Sequence, residues 1–210
     1  ILLGIARTAM RTHGCTWTSY IDISSYDDVC CAIQTFQPDE VYYLAAYHHT
    51  SEDEASSDSE LFRHSFDVNV HCLANFLDAI SRYESSTKLF YAASSHVFGE
   101  PESEYQDEQT QINPICAYGI SKAAGIYACR YYRNIRSIFA SVGIIYNHES
   151  SLRDEHFISQ KIIRGAINIK RGMQDRIVIG DLNSVVDWGY APDYVEAMHR
   201  ILQHGKADDF

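Results

Sequence analysis

Lys88-Leu89-Phe90-Tyr91-Ala92-Ala93-Ser94-Ser95-His96-Val97-Phe98-Gly99 decides the fold. The β-rich run Lys88–Ala93 ends in hydroxyls and then a glycine, as a strand does where it opens into a ligand-binding turn. Working outward, further short β-rich runs stand at Leu2–Ile5, Ser19–Ile23, Glu40–Ala45, Ser137–Ile145 and Arg176–Ile179. Helical stretches fall between them, at Tyr26–Phe36, Leu61–Tyr83, Tyr118–Asn134, His156–Arg171 and Pro192–His204. Ser24 or Ser25 is a natural N-cap for the first helix, and Asp27 and Asp28 suit its first turn. Strands alternating with helices predict an α/β fold, a doubly wound parallel sheet covered by helices on both faces. The acidic, Ser-rich stretch Ser51–Glu60 and the polar stretch Glu100–Pro114 read as the two long loops. In such a sheet, ligands bind beyond the carboxyl ends of the strands.

Composition narrows the class. The chain has 210 residues, 46% hydrophobic and 21% charged, which excludes collagen-like, disordered and disulfide-scaffold classes. No apolar run approaches the roughly 20 residues that span a bilayer. The six cysteines show no CxxC pair and read as buried apolar side chains in a reducing, cytoplasmic compartment. The net charge of −11 argues against non-specific nucleic-acid binding, and its distribution is uneven. Through Thr110 there are 18 acids against 5 bases; from Gln111 onward, 10 against 12. Between Arg153 and Arg176 six bases face three acids, so phosphates of an anionic ligand are expected on the second half. A solvated helix face accounts for the same charges.

A dinucleotide-binding sheet opens with a strand, a glycine-rich turn and a helix N-terminus. No such turn follows an early strand here. The sequence therefore predicts a chain that begins at a second strand, an internal portion of a longer protein.

Ala117-Tyr118-Gly119-Ile120-Ser121-Lys122 contains Tyr-x-x-x-Lys on a predicted helix. Positions i and i+4 share a face, and a cation near a phenol favours phenolate and general-base behaviour. Among 15 tyrosines the pair alone is weak. It gains weight from Ser94 at the upstream strand end and from the polar run Tyr146-Asn147-His148-Glu149-Ser150 downstream. Each cluster is also what a strand end with turn-forming residues looks like. His48 and His49 are adjacent, point apart in a strand and lack partners at ligand spacing, so no metal site is expected.

Together with Gly4–Arg7, Ile21–Ile23, Gln37–Ala46 and Asp187–Ala197, these segments resemble the extended short-chain dehydrogenase/reductases. Within that family the chain is most similar to the GDP-mannose 4,6-dehydratases, over nearly its whole length. The resemblance implies a Rossmann domain over residues 1–150, lacking its first β–α unit. It implies the start of a small substrate-binding region over 151–210, intermixed with Rossmann elements. It implies NADP as cofactor, with NAD the alternative, a nucleotide-sugar substrate, and a homodimer or homotetramer paired through Leu61–Tyr83 and Tyr118–Asn134. By the same resemblance Tyr118 is the catalytic base and acid, Lys122 holds the nicotinamide ribose, and Ser94 hydrogen-bonds the sugar 4-hydroxyl. Arg7, Asp22, Ile23, Leu44, Ala45, Ala46, His148 and Arg153 match cofactor positions; Asn147 and Lys161 match substrate positions. His49 matches a family histidine.

The departures matter equally. Where the family has Thr-Ser-Glu this chain has Ser94-Ser95-His96, so a histidine replaces the glutamate that takes the proton from carbon 5. Val186 replaces an arginine that meets substrate phosphates. His96 suits a base, or an acid for the departing hydroxyl. It equally suits a packed loop histidine in a 4-epimerase or 4-keto reductase. A catalytically silent binding subunit is the reading from another class, and an intact Ser94/Tyr118/Lys122 set speaks against it.

Overall fold

The computed structural model describes residues 2–5, 17–19 (as backbone), 21–47, 57–83, 86–155, 157–183 and 185–210. Arg7, Cys15, His48, His49, residues 51–56 of the acidic loop and His156 lie outside the described residues.

All strand pairings among the described residues are parallel. β1 (Leu3–Ile5) pairs with β2 (Trp17–Ser19). After α1 (Tyr26–Phe36) comes β3 (Glu40–Tyr43). The helices α2 (Asp58–Phe66) and α3 (Cys72–Arg82) follow, joined by a π-helical turn at Asp67–His71. β4 (Lys88–Ser94) lies between β3 and β5 (Ala140–Ile145), and α4 (Ala117–Arg136) crosses between β4 and β5. β6 (Asn147–Glu149), α5 (Ile158–Lys170), β7 (Trp188–Tyr190) and α6 (Ala191–Gln203) complete the order, with β6 paired to β7.

β4 explains the layering. Leu89, Phe90 and Tyr91 are all fully buried, so both faces of the strand are covered. Leu89, Tyr91 and Ala93 face a core shared with Val29 and Ile33 of α1, Leu73, Phe76 and Ile80 of α3, and Ile126 of α4. Phe90 faces the opposite way, onto Met198 and Leu202 of α6. The period of two along the strand thus places helices on both sides of the sheet. A strand so enclosed reads as a continuous apolar run, as this one does. Residues 208–210 run along the outer side of β5, with Val142 N donating to Asp208 O at 3.0 Å and Phe210 N to Val142 O at 2.9 Å. Arg130 and Arg133 of α4 hold Asp209 there, each at 2.6 Å.

Several boundaries differ from expectation, each for a local reason. The strand expected at Ser19–Ile23 ends at Ser19, because Asp22 turns the chain by accepting from Ser24 N at 2.9 Å and Ser24 Oγ at 2.7 Å. That frees Ser25, not Ser24, to cap α1 by accepting from Asp28 N. The loop expected to run to Glu60 closes at Ser57, where a capping box with Glu60 starts α2. β5 begins at Ala140 because Ser137 takes left-handed dihedrals (φ 55°) as the C-cap of α4. Arg176–Ile179 is irregular; Val178 is exposed, and Gln174 Nε2 bonds the Arg176 carbonyl that a ladder would have used. The short pair β6–β7 is additional to the expected strands, because three residues carry too little periodicity to mark a strand in sequence. Of the cysteines, Cys30, Cys72 and Cys129 are buried as expected, whereas Cys31 and Cys116 are exposed. No helix among the described residues is long and apolar enough to cross a membrane.

Candidate active site

The carboxyl end of β4 and the amino end of α4 meet at one point, and backbone packing fixes how closely. A Cβ on Gly119 would sit 2.5 Å from the His96 carbonyl oxygen, so only glycine lets the first turn of α4 rest on that backbone. Cys116 caps the helix, its Sγ accepting from Gly119 N at 3.4 Å. Tyr118 projects from this turn onto Ser94, the last residue of β4, and the two side chains hydrogen-bond. Ser94 also accepts from His96 N at 3.3 Å, which starts the 3₁₀ turn Ser95–Val97. The His96 ring stands edge-on to the Tyr118 ring, with centroids 5.6 Å apart and planes at 85°. Its Nδ1 faces Cys116 Sγ at 3.9 Å. Ser94, His96 and Tyr118 therefore form one cluster.

Lys122 completes it from below. One helical turn after Tyr118, it is 2% exposed, and Nζ donates to the Ala92 carbonyl at 2.8 Å. The ammonium lies 5.0 Å from the Tyr91 ring centroid and 5.7 Å from that of Tyr118. Burial lowers its pKa from the ordinary lysine value to about 7. The expected depression of the Tyr118 pKa is not what the electrostatics give. Burial raises the phenol, the Ser94 hydrogen bond pulls it partly back, and Cys116 adds to the rise. Lys122 is turned to Ala92, so its charge does little for the phenol. Desolvation likewise lowers the His96 pKa, favouring neutral imidazole.

A buried network ties this cluster to the end of β3. Asn69, in the π turn, accepts from Tyr47 N at 3.3 Å and donates to Ser121 Oγ at 2.9 Å. Ser121 in turn donates to the Tyr118 carbonyl at 2.8 Å. Leu44, Ala45 and Ala46 lead from β3 to Tyr47; Leu44 is exposed, whereas Ala45 packs on the core. Asn75 of α3 donates to the carbonyls of Ile23 and Ser24 and so holds the turn that carries Asp22. Sequence reasoning missed Asn69, Asn75 and Cys116. Asn69 was detectable: it shares a helical face with Leu73, Phe76 and Ile80, a polar residue on an apolar stripe.

The downstream candidates stand on other elements. Asn147 and His148 lie on β6; His148 stacks on Tyr194 of α6 at 4.9 Å between ring centroids. Arg153 lies over the Phe157 ring at 3.4 Å and faces Glu149 at 3.5 Å. Lys161 is in the first turn of α5. Of the basic run, Arg164 pairs with Glu155. Tyr146, the residue after β5, donates to Gln106 Oε1 at 2.9 Å and ties the 100–114 loop to this side.

Comparison with known proteins gives this arrangement its family. The family model for GDP-mannose 4,6 dehydratase matches residues 8–210. The chain belongs to that family. It is 35% identical to GDP-mannose 4,6 dehydratase 2 of Caenorhabditis elegans over 193 residues, covering 91% of this chain and 49% of that one. It is 35% identical to GDP-mannose 4,6 dehydratase 2 of Arabidopsis thaliana over 210 residues, covering 98% and 53%. The chain thus spans about half the length of the curated dehydratases it matches. In fold it is similar to RMD from Pseudomonas aeruginosa, solved with NADPH, at a TM-score of 0.79 and 21% identity, covering 95% of this chain and 71% of that one. The parallel sheet of this GDP-mannose dehydratase family member is thus of the Rossmann type, as its sequence predicts.

Proposed function

We propose that the protein performs nucleotide-sugar 4,6-dehydratase chemistry of the GDP-mannose type, with NADP as cofactor and NAD as the alternative. The observation that carries this reading is the cluster of Ser94, Tyr118, Lys122 and His96 where β4 meets α4. The residues suit the dinucleotide. Lys122 has one hydrogen-bond acceptor among the described residues, which leaves two of its three N–H groups for a ribose diol. Leu44 offers an open apolar surface at the end of β3. Leu44–Ala46, Asp22, Ile23, His148 and Arg153, with Arg7, would line the remainder. Bound nicotinamide supplies the chemistry of accepting a hydride from carbon 4 and returning it to carbon 6.

The chain's own residues handle protons. Ser94 orients the sugar 4-hydroxyl, and Tyr118 removes its proton as carbon 4 becomes a ketone. The ketone acidifies the hydrogen on carbon 5. His96, neutral through desolvation, takes that proton, the electron pair forms the carbon 5–carbon 6 double bond, and hydroxide leaves carbon 6 as water with a proton from the protein. Asn147 and Lys161 would hold the substrate. A 4-epimerase or 4-keto reductase is the second reading, favoured by the histidine at position 96; it needs proton and hydride transfer at carbon 4 alone, with hydride returned to or delivered at that carbon, and no group acting at carbon 5.

Residues 1–150 would form the dinucleotide-binding unit and 151–210 the beginning of the substrate region. Exposed Tyr127, Tyr131 and Ile135, at four-residue spacing on α4, support a homodimer or homotetramer. We place the protein in the cytoplasm, where its nucleotide-sugar substrate would be met.

His96→Ala tests the proposal. Mixed with GDP-mannose, the variant should still develop the absorbance of reduced nicotinamide yet release no 4-keto-6-deoxy sugar. Wild-type product formation by His96→Ala would move the base elsewhere.

A further inference from the structure

Asn69, in the π-helical turn between α2 and α3, and Ser121 of α4 are both fully buried. The roles of their polar atoms are fixed by the main chain. A backbone N–H can only donate, so the bond from Tyr47 N at 3.3 Å is received by the side-chain oxygen of Asn69. Its Nδ2 then faces Ser121 Oγ at 2.9 Å and donates to it. The Ser121 hydroxyl gives its own proton to the Tyr118 carbonyl, which can only accept, at 2.8 Å. The three bonds therefore run in one direction, from the segment after β3 to the first turn of α4. Tyr91 Oη donates to the Asn69 carbonyl at 3.3 Å and so pins the same residue by its main chain.

The last bond reaches the site. A serine hydroxyl bonded back to a carbonyl of the preceding turn bends a helix locally. Tyr118 stands in that turn, and its aim decides whether the phenol meets Ser94. A π turn within a helix is rare, and such turns recur at functional sites. Here it carries Asn69 against α4.

We infer that Asn69 is a positioning residue for Tyr118, acting by orienting the Ser121 hydroxyl that sets the first turn of α4. The use of this geometry in catalysis rests on the proposal that Tyr118 removes the 4-hydroxyl proton.

Two variants separate positioning from packing. Ser121→Ala removes the hydroxyl and leaves the Tyr47–Asn69 bond in place. Asn69→Leu exchanges the amide for an apolar side chain of similar size. In the full chain labelled with ¹³C at tyrosine Cζ, Tyr118→Phe identifies the Tyr118 resonance. Both variants should move that resonance, because the phenol loses its alignment on Ser94. Both should slow formation of reduced nicotinamide from GDP-mannose and NADP on the order of 10–100-fold, the cost of a misplacement near 1 Å. The double variant should be no slower than the slower single one, since the two residues act through one chain of bonds. A role in packing alone would lower the unfolding midpoint and leave the Tyr118 resonance and the rate per folded molecule unchanged; that result overturns the inference. Rate losses that multiply in the double variant overturn it as well. Should Asn69→Leu fail to fold, Ser121→Ala decides by the same resonance and rate. If the resonance moves as expected while wild type reduces no cofactor with any sugar nucleotide, the positioning stands and the dehydratase proposal fails.

Discussion

Lys122→Met replaces a buried ammonium by an apolar chain of similar length. The wild-type lysine is 2% exposed, and burial takes its pKa from 10.5 to about 7. Above pH 10.5 neither the folded nor the unfolded chain carries this charge. As pH falls, the unfolded chain protonates first, so the folded state loses stability down to about pH 7 and a constant amount below it. Each unit of that window is worth about 1.4 kcal/mol. Raising pH from about 7.5 to about 9.5 should therefore stabilise wild type by roughly 2–3 kcal/mol relative to Lys122→Met. Urea unfolding of both proteins at the two pH values measures this, and the comparison cancels contributions from other tyrosines and cysteines. Parallel stability curves would refute the reasoning, because they would mean that the Lys122 ammonium keeps its hydration in the folded state despite its burial.

Tyr118→Phe keeps the ring that packs on His96 and removes the proton acceptor, so turnover should fall roughly 10²–10⁴-fold with an unchanged unfolding midpoint. Near-normal turnover would assign the 4-hydroxyl proton to another group. Gly125→Ala tests the packing of α4 on β4. Alanine ordinarily gains about 1 kcal/mol over glycine within a helix, but here its Cβ would overlap the Tyr91 hydroxyl and ring. Tyr91 is fully buried and its hydroxyl donates to the Asn69 carbonyl, so it has little room to yield. A net loss of about 1–3 kcal/mol in urea unfolding is expected, and a more stable variant would show that Tyr91 can move.

What was legible in the sequence followed the strength of local signals. α1 and β4 were readable because a capped amphipathic stretch and an enclosed apolar run are dictated by their own residues. Spacing and resemblance single out Ser94, Tyr118 and Lys122, and the fold brings the three side chains together. Their electrostatics were not legible, because whether Lys122 faces the Tyr118 hydroxyl or the Ala92 carbonyl depends on a strand 30 residues away. The π turn at Asp67–His71 and its Asn69 network depend on partners in α4 and in the segment after β3. β6 and β7 form only because each supplies the other's ladder across 41 residues.

Turnover of GDP-mannose in deuterated water tests the central claim most directly. The account predicts a 4-keto-6-deoxy sugar with one solvent deuterium at carbon 5, while the hydrogen originally on carbon 4 is found at carbon 6. A product epimerised or reduced at carbon 4 with no deuterium at carbon 5 would contradict it and make His96 a packing residue.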